Sequence, residues 1–267
     1  MLARKRFGQH FLHDPAVIRR IVASIAPLPG ERIVEIGPGR GALTWALLEP
    51  AGELDVIEID RDLARSLRED PRGGGKLRVH VEDVLGADFG RLRGSGPQLR
   101  IVGNLPYNIS TPVLFHLLTY RHAIRDMHFM LQREVVERMA ASPGGKDYGR
   151  LTVMLAAYAQ VESLFEVGPG AFKPPPKVWS AVVRLRPSAQ PRFEIGSDGA
   201  LRAVVTAVFS HRRKILRNGL KGLLSDDDIR SCGVDPTARP ETLAPAELGR
   251  LAARYCQLEH DARAQNI

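Results

Sequence analysis

Between residues 30 and 132 the chain alternates between short apolar runs and amphipathic stretches. RIVEIG (32–37), ELDVIEI (53–59), KLRVHVE (76–82), QLRIVG (98–103) and DMHFMLQ (126–132) have the length and β-branched content of buried strands. GALTWALLE (41–49), RDLARSLRE (61–69) and STPVLFHLLTY (110–120) lie between several of them and place apolar residues at helical spacing. Strand and helix in alternation predict a parallel sheet with helices on both faces. GRLTVMLAAYAQ, from Gly149, predicts one more buried helix. VESLFEV (161–167) and KVWSAVVRL (177–185), joined by GPGAFKPPPK, predict two further strands, paired antiparallel at the sheet edge. The sum is a mixed sheet of about seven strands, within the usual size range.

RPSAQPR (186–192) breaks this pattern and reads as a linker. Beyond it only helical spacing remains, over about 197–209, 211–223, 225–231 and 244–257, with Ser225 ahead of three aspartates as an N-cap. The expected domains are therefore 1–186, an α/β domain, and 187–267, a small all-α domain.

Composition adds one constraint. The formal net charge is +8 over 267 residues, which favours an acidic partner, nucleic acid first. Only 2 cysteines occur, Cys232 and Cys256, with no ligand spacing, and the histidines His10, His13, His116, His122 and His128 form no metal set. A disulfide framework and a metal centre are not expected. The basic start MLARKRFGQHFL has no apolar core behind it, and no apolar run has membrane-spanning length. The expectation is a cytoplasmic protein.

Candidate chemistry lies at the ends of the strands. VEIGPGRGALT (34–44) takes a strand through Gly37, Gly39 and Gly41 into a helix, so that backbone can approach a ligand and free N–H groups can face an anion. Glu58 follows Gly37 by 21 residues, where a carboxylate can accept both hydroxyls of a ribose. The dinucleotide fingerprint G-x-G-x-x-G has its third glycine one place later, but Ala42 is tolerated there, so spacing leaves the cofactor open between a nicotinamide dinucleotide and another nucleoside. Glu35, Glu58 and Asp83 sit at three successive strand ends, although Asp83 alone also reads as a helix cap.

The fourth strand end is Asn104-Leu105-Pro106-Tyr107. An amide, a turn-fixing proline and an aromatic ring at this edge resemble the class I S-adenosylmethionine-dependent methyltransferases that alkylate exocyclic amines. The lone pair of such an amine is delocalised into its ring. Acceptors on its two N–H bonds, the Asn104 side-chain oxygen and the Leu105 carbonyl, favour a tetrahedral nitrogen; Pro106 fixes the turn and Tyr107 can stack on the base. RFGQHFL (6–12), EIGPGRGALT (35–44), VGNLPYNIST (102–111), MLQREV (130–135), FKPPPKVWSAVV (172–183) and HRRKILRNGL (211–220) together are similar to the KsgA-type small-subunit ribosomal RNA adenine dimethyltransferases, over nearly the whole chain.

That resemblance implies a Rossmann-like fold with a mixed seven-stranded sheet, an antiparallel edge hairpin and a small all-α C-terminal domain. It implies S-adenosylmethionine as cofactor, held by His10, Leu12, Gly37, Gly39, Glu58, Asp83 and Asn104; many relatives carry Asn in place of His10. Asn104, Leu105, Pro106 and Tyr107 would hold the target amine, with Phe172, ahead of Pro174-Pro175-Pro176, facing the base from the other side. The implied reaction places two methyl groups on N6 of each of two adjacent adenines in a hairpin loop near the 3′ end of 16S RNA, with the small ribosomal subunit as partner, no membrane, and a monomeric protein. An Erm-like 23S RNA methyltransferase and a ribosome assembly factor with secondary catalysis are the alternatives. HRRKILRNGLKG supplies Arg212, Arg213, Lys214, Arg217 and Lys221 as RNA contacts, and as one helix it would align Arg213, Arg217 and Lys221 in a stripe. The C-terminal domain holds 12 basic and 10 acidic residues, so its positive field is local.

Overall fold

The computed structural model describes residues 10–210 and 214–264. In chain order the elements are β1 (Phe11–Leu12), α1 (Pro15–Ile25), β2 (Arg32–Ile36), α2 (Ala42–Ala51), β3 (Leu54–Ile57), α3 (Arg61–Glu69), β4 (Leu77–His80), α4 (Phe89–Arg93), β5 (Leu99–Asn104), α5 (Ser110–Thr119), β6 (Ile124–Gln132), α6 (Arg133–Met139), α7 (Arg150–Ala156), β7 (Ala159–Val167), β8 (Phe172–Lys173), β9 (Ser180–Pro187), α8 (Asp198–Ser210), α9 (Leu216–Gly219), α10 (Asp226–Ser231) and α11 (Pro245–Ala264). They form two compact units. One contains the residues up to Val136 with Glu162–Pro187; the other contains Glu137–Val161 and the chain from Ser188 onward.

The first unit is built on a seven-stranded sheet of order β4-β3-β2-β5-β6-β9-β7. β2 to β6 are parallel, and β9 runs antiparallel to β6. Strands β2, β3 and β5 are buried along nearly their whole length, which explains their unbroken apolar runs. Helices α1 and α3 start where the sequence supplies a carboxylate cap. Asp14 accepts N–H bonds from Ala16 and Val17 at the head of α1, and Asp60 does the same for Asp62 and Leu63 at the head of α3. At the N-terminal end of the sheet the buried Arg100 guanidinium bonds Asp126, Glu31 (2.7 Å) and the carbonyl of Ile25 (2.6 Å), tying α1 to β5 and β6. Burial would push the Asp126 carboxyl up, but His128 and Arg100 beside it hold it well below the usual carboxylate range.

The strand order reverses between β2 and β5. From β2 the chain proceeds outward to β3 and β4; from β5 it proceeds the other way. A crevice opens at the carboxyl ends of strands at such a point, here beyond Ile36 and Asn104. Gly103 makes the junction tight: a Cβ there would lie 2.6 Å from the Ile36 carbonyl oxygen.

The second unit is helical among its described residues, apart from the first residues of β7. Segment 137–161, which the sequence grouped with the α/β domain, packs in this unit, where the Tyr148 hydroxyl donates to the Leu243 carbonyl at 2.8 Å. Among the described residues from Lys214 onward, the helix expected over 211–223 is not continuous. Arg212 and Arg213 lie outside the described residues. Ile215 is extended, with φ −70° and ψ 160°, and α9 spans four residues only. The N–H groups of Leu216 and Arg217 donate to the carbonyls of Ala238 and Pro236, so this backbone is held by the 236–238 loop rather than by a preceding helical turn. Arg217 and Lys221 therefore do not belong to one helical stripe; Arg217 approaches Asp226 at 3.7 Å.

Candidate nucleoside and target-amine site

The glycine loop after β2 carries three left-handed residues, with φ of 67°, 57° and 82° at Gly37, Gly39 and Gly41. Gly41 is the N-cap of α2, and a Cβ on it would strike the Trp45 ring at 2.5 Å. The loop can only be built with glycine at these turns. The Gly37 N–H donates to the Ile57 carbonyl at 2.9 Å, which seats the loop against the end of β3.

A cavity of about 220 Å³ opens over these strand ends. Its floor is Ile36 to Gly39. Glu58 and Ile59 follow β3, Asp83 to Leu85 follow β4, and Asn104 to Ile109 follow β5, while His10 to Leu12 border it from the N-terminal side. All of the cofactor residues expected from the sequence, His10, Leu12, Gly37, Gly39, Glu58, Asp83 and Asn104, line this one cavity, as do Leu105, Pro106 and Tyr107.

Glu58 is held rigidly. Its Oε2 accepts the Gly39 N–H at 3.1 Å and its Oε1 accepts the Asp60 N–H at 2.9 Å. Each oxygen keeps a second acceptor site, which two vicinal ribose hydroxyls can use. Burial raises its pKa against those hydrogen bonds. Asp83 both caps and lines: its carboxylate accepts the Leu85 N–H at 3.0 Å. Ile59 and Leu85 are exposed apolar side chains on the cavity wall, fit to enclose a flat base between them. The sequence pattern marks neither: Ile59 ends a strand run and reads as core, and Leu85 lies beyond the KLRVHVE run. Glu35 is only 2 % exposed and receives the Thr44 hydroxyl at 2.5 Å; burial pushes its carboxyl up to about 8.

At the other end of the cavity Asn104 Nδ2 donates to the His10 carbonyl at 3.1 Å. This fixes the amide orientation and leaves Oδ1 as an acceptor. The Leu105 N–H donates to the Met130 carbonyl at 3.3 Å, so the turn is anchored to β6. The Tyr107 and Ser180 hydroxyls meet at 2.9 Å, and the His10 ring stacks on the Tyr107 ring at 6.0 Å. Burial raises the Tyr107 pKa and keeps the phenol neutral. The sequence did not single out Ser180, whose only signal was its place at the start of the last strand.

Phe172 differs from expectation. It pairs with Leu12 across β8 and β1, is 3 % exposed, and packs in the core with Leu12, Ile21 and Val182 rather than lining the cavity. Lys214, Arg217 and Lys221 belong to the second unit. Among the described residues there is no group of three metal-ligating side chains, and no helix is long and apolar enough to cross a membrane.

The sheet order, the glycine loop and the Asn-Leu-Pro-Tyr turn at the switch point define a Rossmann-like methyltransferase fold. A family model described as ribosomal RNA adenine dimethylase matches residues 1–255, and the chain belongs to that family. It is 54% identical over 256 residues to a ribosomal RNA small subunit methyltransferase A from Pseudomonas aeruginosa, covering 96% of each chain. It is 58% identical over 245 residues to the protein of that name from Nitrosococcus oceani, covering 91% of this chain and 92% of the relative. Among solved structures, a dimethyladenosine transferase from Plasmodium falciparum shares the fold, with a TM-score of 0.74 and 23% identity over 96% of this chain and 98% of the other. The 23S rRNA methyltransferase ErmE matches with a TM-score of 0.71 and 29% identity over 92% of this chain and 99% of the other.

Proposed function

We propose that the protein transfers methyl groups from S-adenosylmethionine to N6 of two adjacent adenines in a hairpin loop near the 3′ end of 16S RNA, during assembly of the small ribosomal subunit in the cytoplasm. The observation that carries this reading is the single cavity lined by Glu58 at one end and by Asn104 to Tyr107 at the other. Identity supports the small subunit: 52–58% to small-subunit methyltransferases against 29% to ErmE.

The residues present fit S-adenosylmethionine. Glu58 offers acceptors for the ribose hydroxyls, Ile59 and Leu85 offer apolar walls for the adenine, and Gly37 and Gly39 let backbone close on the amino-acid end. Bound there, S-adenosylmethionine supplies an electrophilic methyl group. The protein's part is binding and orientation. Asn104 Oδ1 and the Leu105 carbonyl accept the two N–H bonds of the target amine and localise its lone pair on the nitrogen. Pro106 holds both acceptors in one turn, and Tyr107, fixed by Ser180, stacks on the base. The nitrogen, acidic once methylated, releases one N–H proton to solvent, so no strong base is needed; the rate gain lies in alignment and pre-formed polar groups. Loop adenines enter such a site at low cost, as unstacking requires only about a few kcal/mol.

The test is transfer of labelled methyl to unmethylated small subunits and, in parallel, to large subunits. Label confined to 16S RNA supports the reading. Label in 23S RNA, or in neither despite tight subunit binding, contradicts it.

A further inference from the structure

Trp179 is 48 % exposed and Val178 beside it 43 %, although the strand β9 that they precede begins with buried residues, Ser180 to Val183. Exposed tryptophan is unusual, because its ring gains so much from burial. Trp179 is nevertheless fixed: its carbonyl accepts the Arg133 N–H at 2.9 Å, and its benzo ring lies against Gly168, where an added Cβ would meet it at 3.7–4.0 Å.

The segment that carries it borders the target-amine end of the cavity at two points. His10 Nδ1 bonds the Pro174 carbonyl at 2.8 Å, and the Ser180 hydroxyl meets that of Tyr107 at 2.9 Å. Trp179 precedes Ser180, which pairs with Gln132 at the carboxyl end of β6, so it stands at the same sheet edge as Asn104, which pairs with Met130. The same segment exposes Lys173 and Lys177, which make no ion pair among the described residues, and Pro174 and Pro175 stiffen it. A rigid aromatic face flanked by unpaired cations has the chemistry of a single-stranded RNA contact: stacking for a base, positive charge for its phosphates. A membrane contact would want an apolar cluster, and a protein contact a wider apolar patch, than these two side chains provide.

We propose that Trp179 stacks on a base next to the adenine held by Tyr107, with Lys173 and Lys177 neutralising the adjoining phosphates. The inference rests on the proposed function and adds a substrate-positioning residue to it. Stacking of this kind is sequence-tolerant, so Trp179 tightens the hold on the loop without choosing the base.

The experiment compares wild type with W179F, W179A and W179L. KM for unmethylated small subunits rises about tenfold in W179A and W179L, kcat stays within about twofold, and W179F, which keeps a ring, remains near wild type. W179L keeps apolar bulk, so a rise in KM there reports loss of the π-face and not of packing. Independently, a hairpin RNA with an adenine-containing loop quenches wild-type tryptophan emission more than that of W179F, since Trp45 is the second of only 2 tryptophans. An unaltered KM in W179A and W179L, or equal quenching in wild type and W179F, overturns the proposal. Wild-type enzyme that modifies no small subunit contradicts the proposed function instead, and the quenching difference still decides the role of Trp179.

Discussion

Glu35 sits in the cavity with its carboxyl raised to about 8 from an ordinary 4.5, and burial is the main cause. Between those values the folded protein holds a proton that the unfolded chain has released. Stability from this group is therefore greatest at low pH and is lost as pH rises through the window from about 4.5 to about 8. Glu35→Gln keeps an acceptor for Thr44 and removes the titration. The Tm of the ligand-free variant should exceed that of wild type at pH 8 and converge with it toward pH 5; equal offsets at both pH values would show that Glu35 does not titrate there. At this scale much of the site was legible in the sequence. Glu58, Asp83 and Asn104 each end a strand, and the sheet gathers strand ends at one edge. Ile59 and Leu85 were not legible, because their importance depends on which way a side chain faces after its strand has stopped, and Ser180 was not, because its bond to Tyr107 spans 73 residues of sequence. Phe172, which the sequence set against the target base, lies in the core through a two-residue pairing with β1.

The central elements place the site, and Gly103 sets how closely β5 approaches the end of β2. Gly103→Ala would force a methyl to within 2.6 Å of the Ile36 carbonyl oxygen, backbone that cannot rotate away. A loss of about 1–3 kcal/mol in urea unfolding is expected, together with weaker S-adenosylmethionine binding by calorimetry. Wild-type values for both would mean that the two strand ends adjust independently of the glycine. The strands themselves were readable because parallel strands buried on both faces leave unbroken apolar runs. The helix over 211–223 was not. Its apolar and basic residues do recur at helical spacing, but the spacing cannot register that the N–H groups of Leu216 and Arg217 bond the 236–238 loop, and that Ile215 is extended. Local periodicity lost to a tertiary hydrogen-bond pattern.

At the scale of the molecule, the sequence placed the break at the proline-containing linker after residue 186, whereas Glu137–Val161 packs with the helical unit. Such an exchange of a segment between units is set by long-range packing, as with Tyr148 on Leu243, and leaves no local mark. The net charge of +8 predicts that binding to unmethylated small subunits weakens with salt. Replacing Lys214, Arg217 and Lys221 by Glu should make the slope of log affinity against log salt shallower by about 2 to 3, with kcat little changed. An unaltered slope would remove these residues from the RNA contact, even though they need not share a helix to make one.

In the proposed reaction Asn104 to Tyr107 hold the amine that is methylated. The direct measurement is single-turnover formation of N6,N6-dimethyladenosine in unmethylated small subunits, at saturating S-adenosylmethionine, followed by nucleoside mass spectrometry for wild type and Asn104→Ala. Wild type should form dimethyladenosine in 16S RNA, and the variant should form it at a rate at least about 10²-fold lower, as for loss of one pre-organised polar contact. An Asn104→Ala rate equal to wild type would place the chemistry elsewhere.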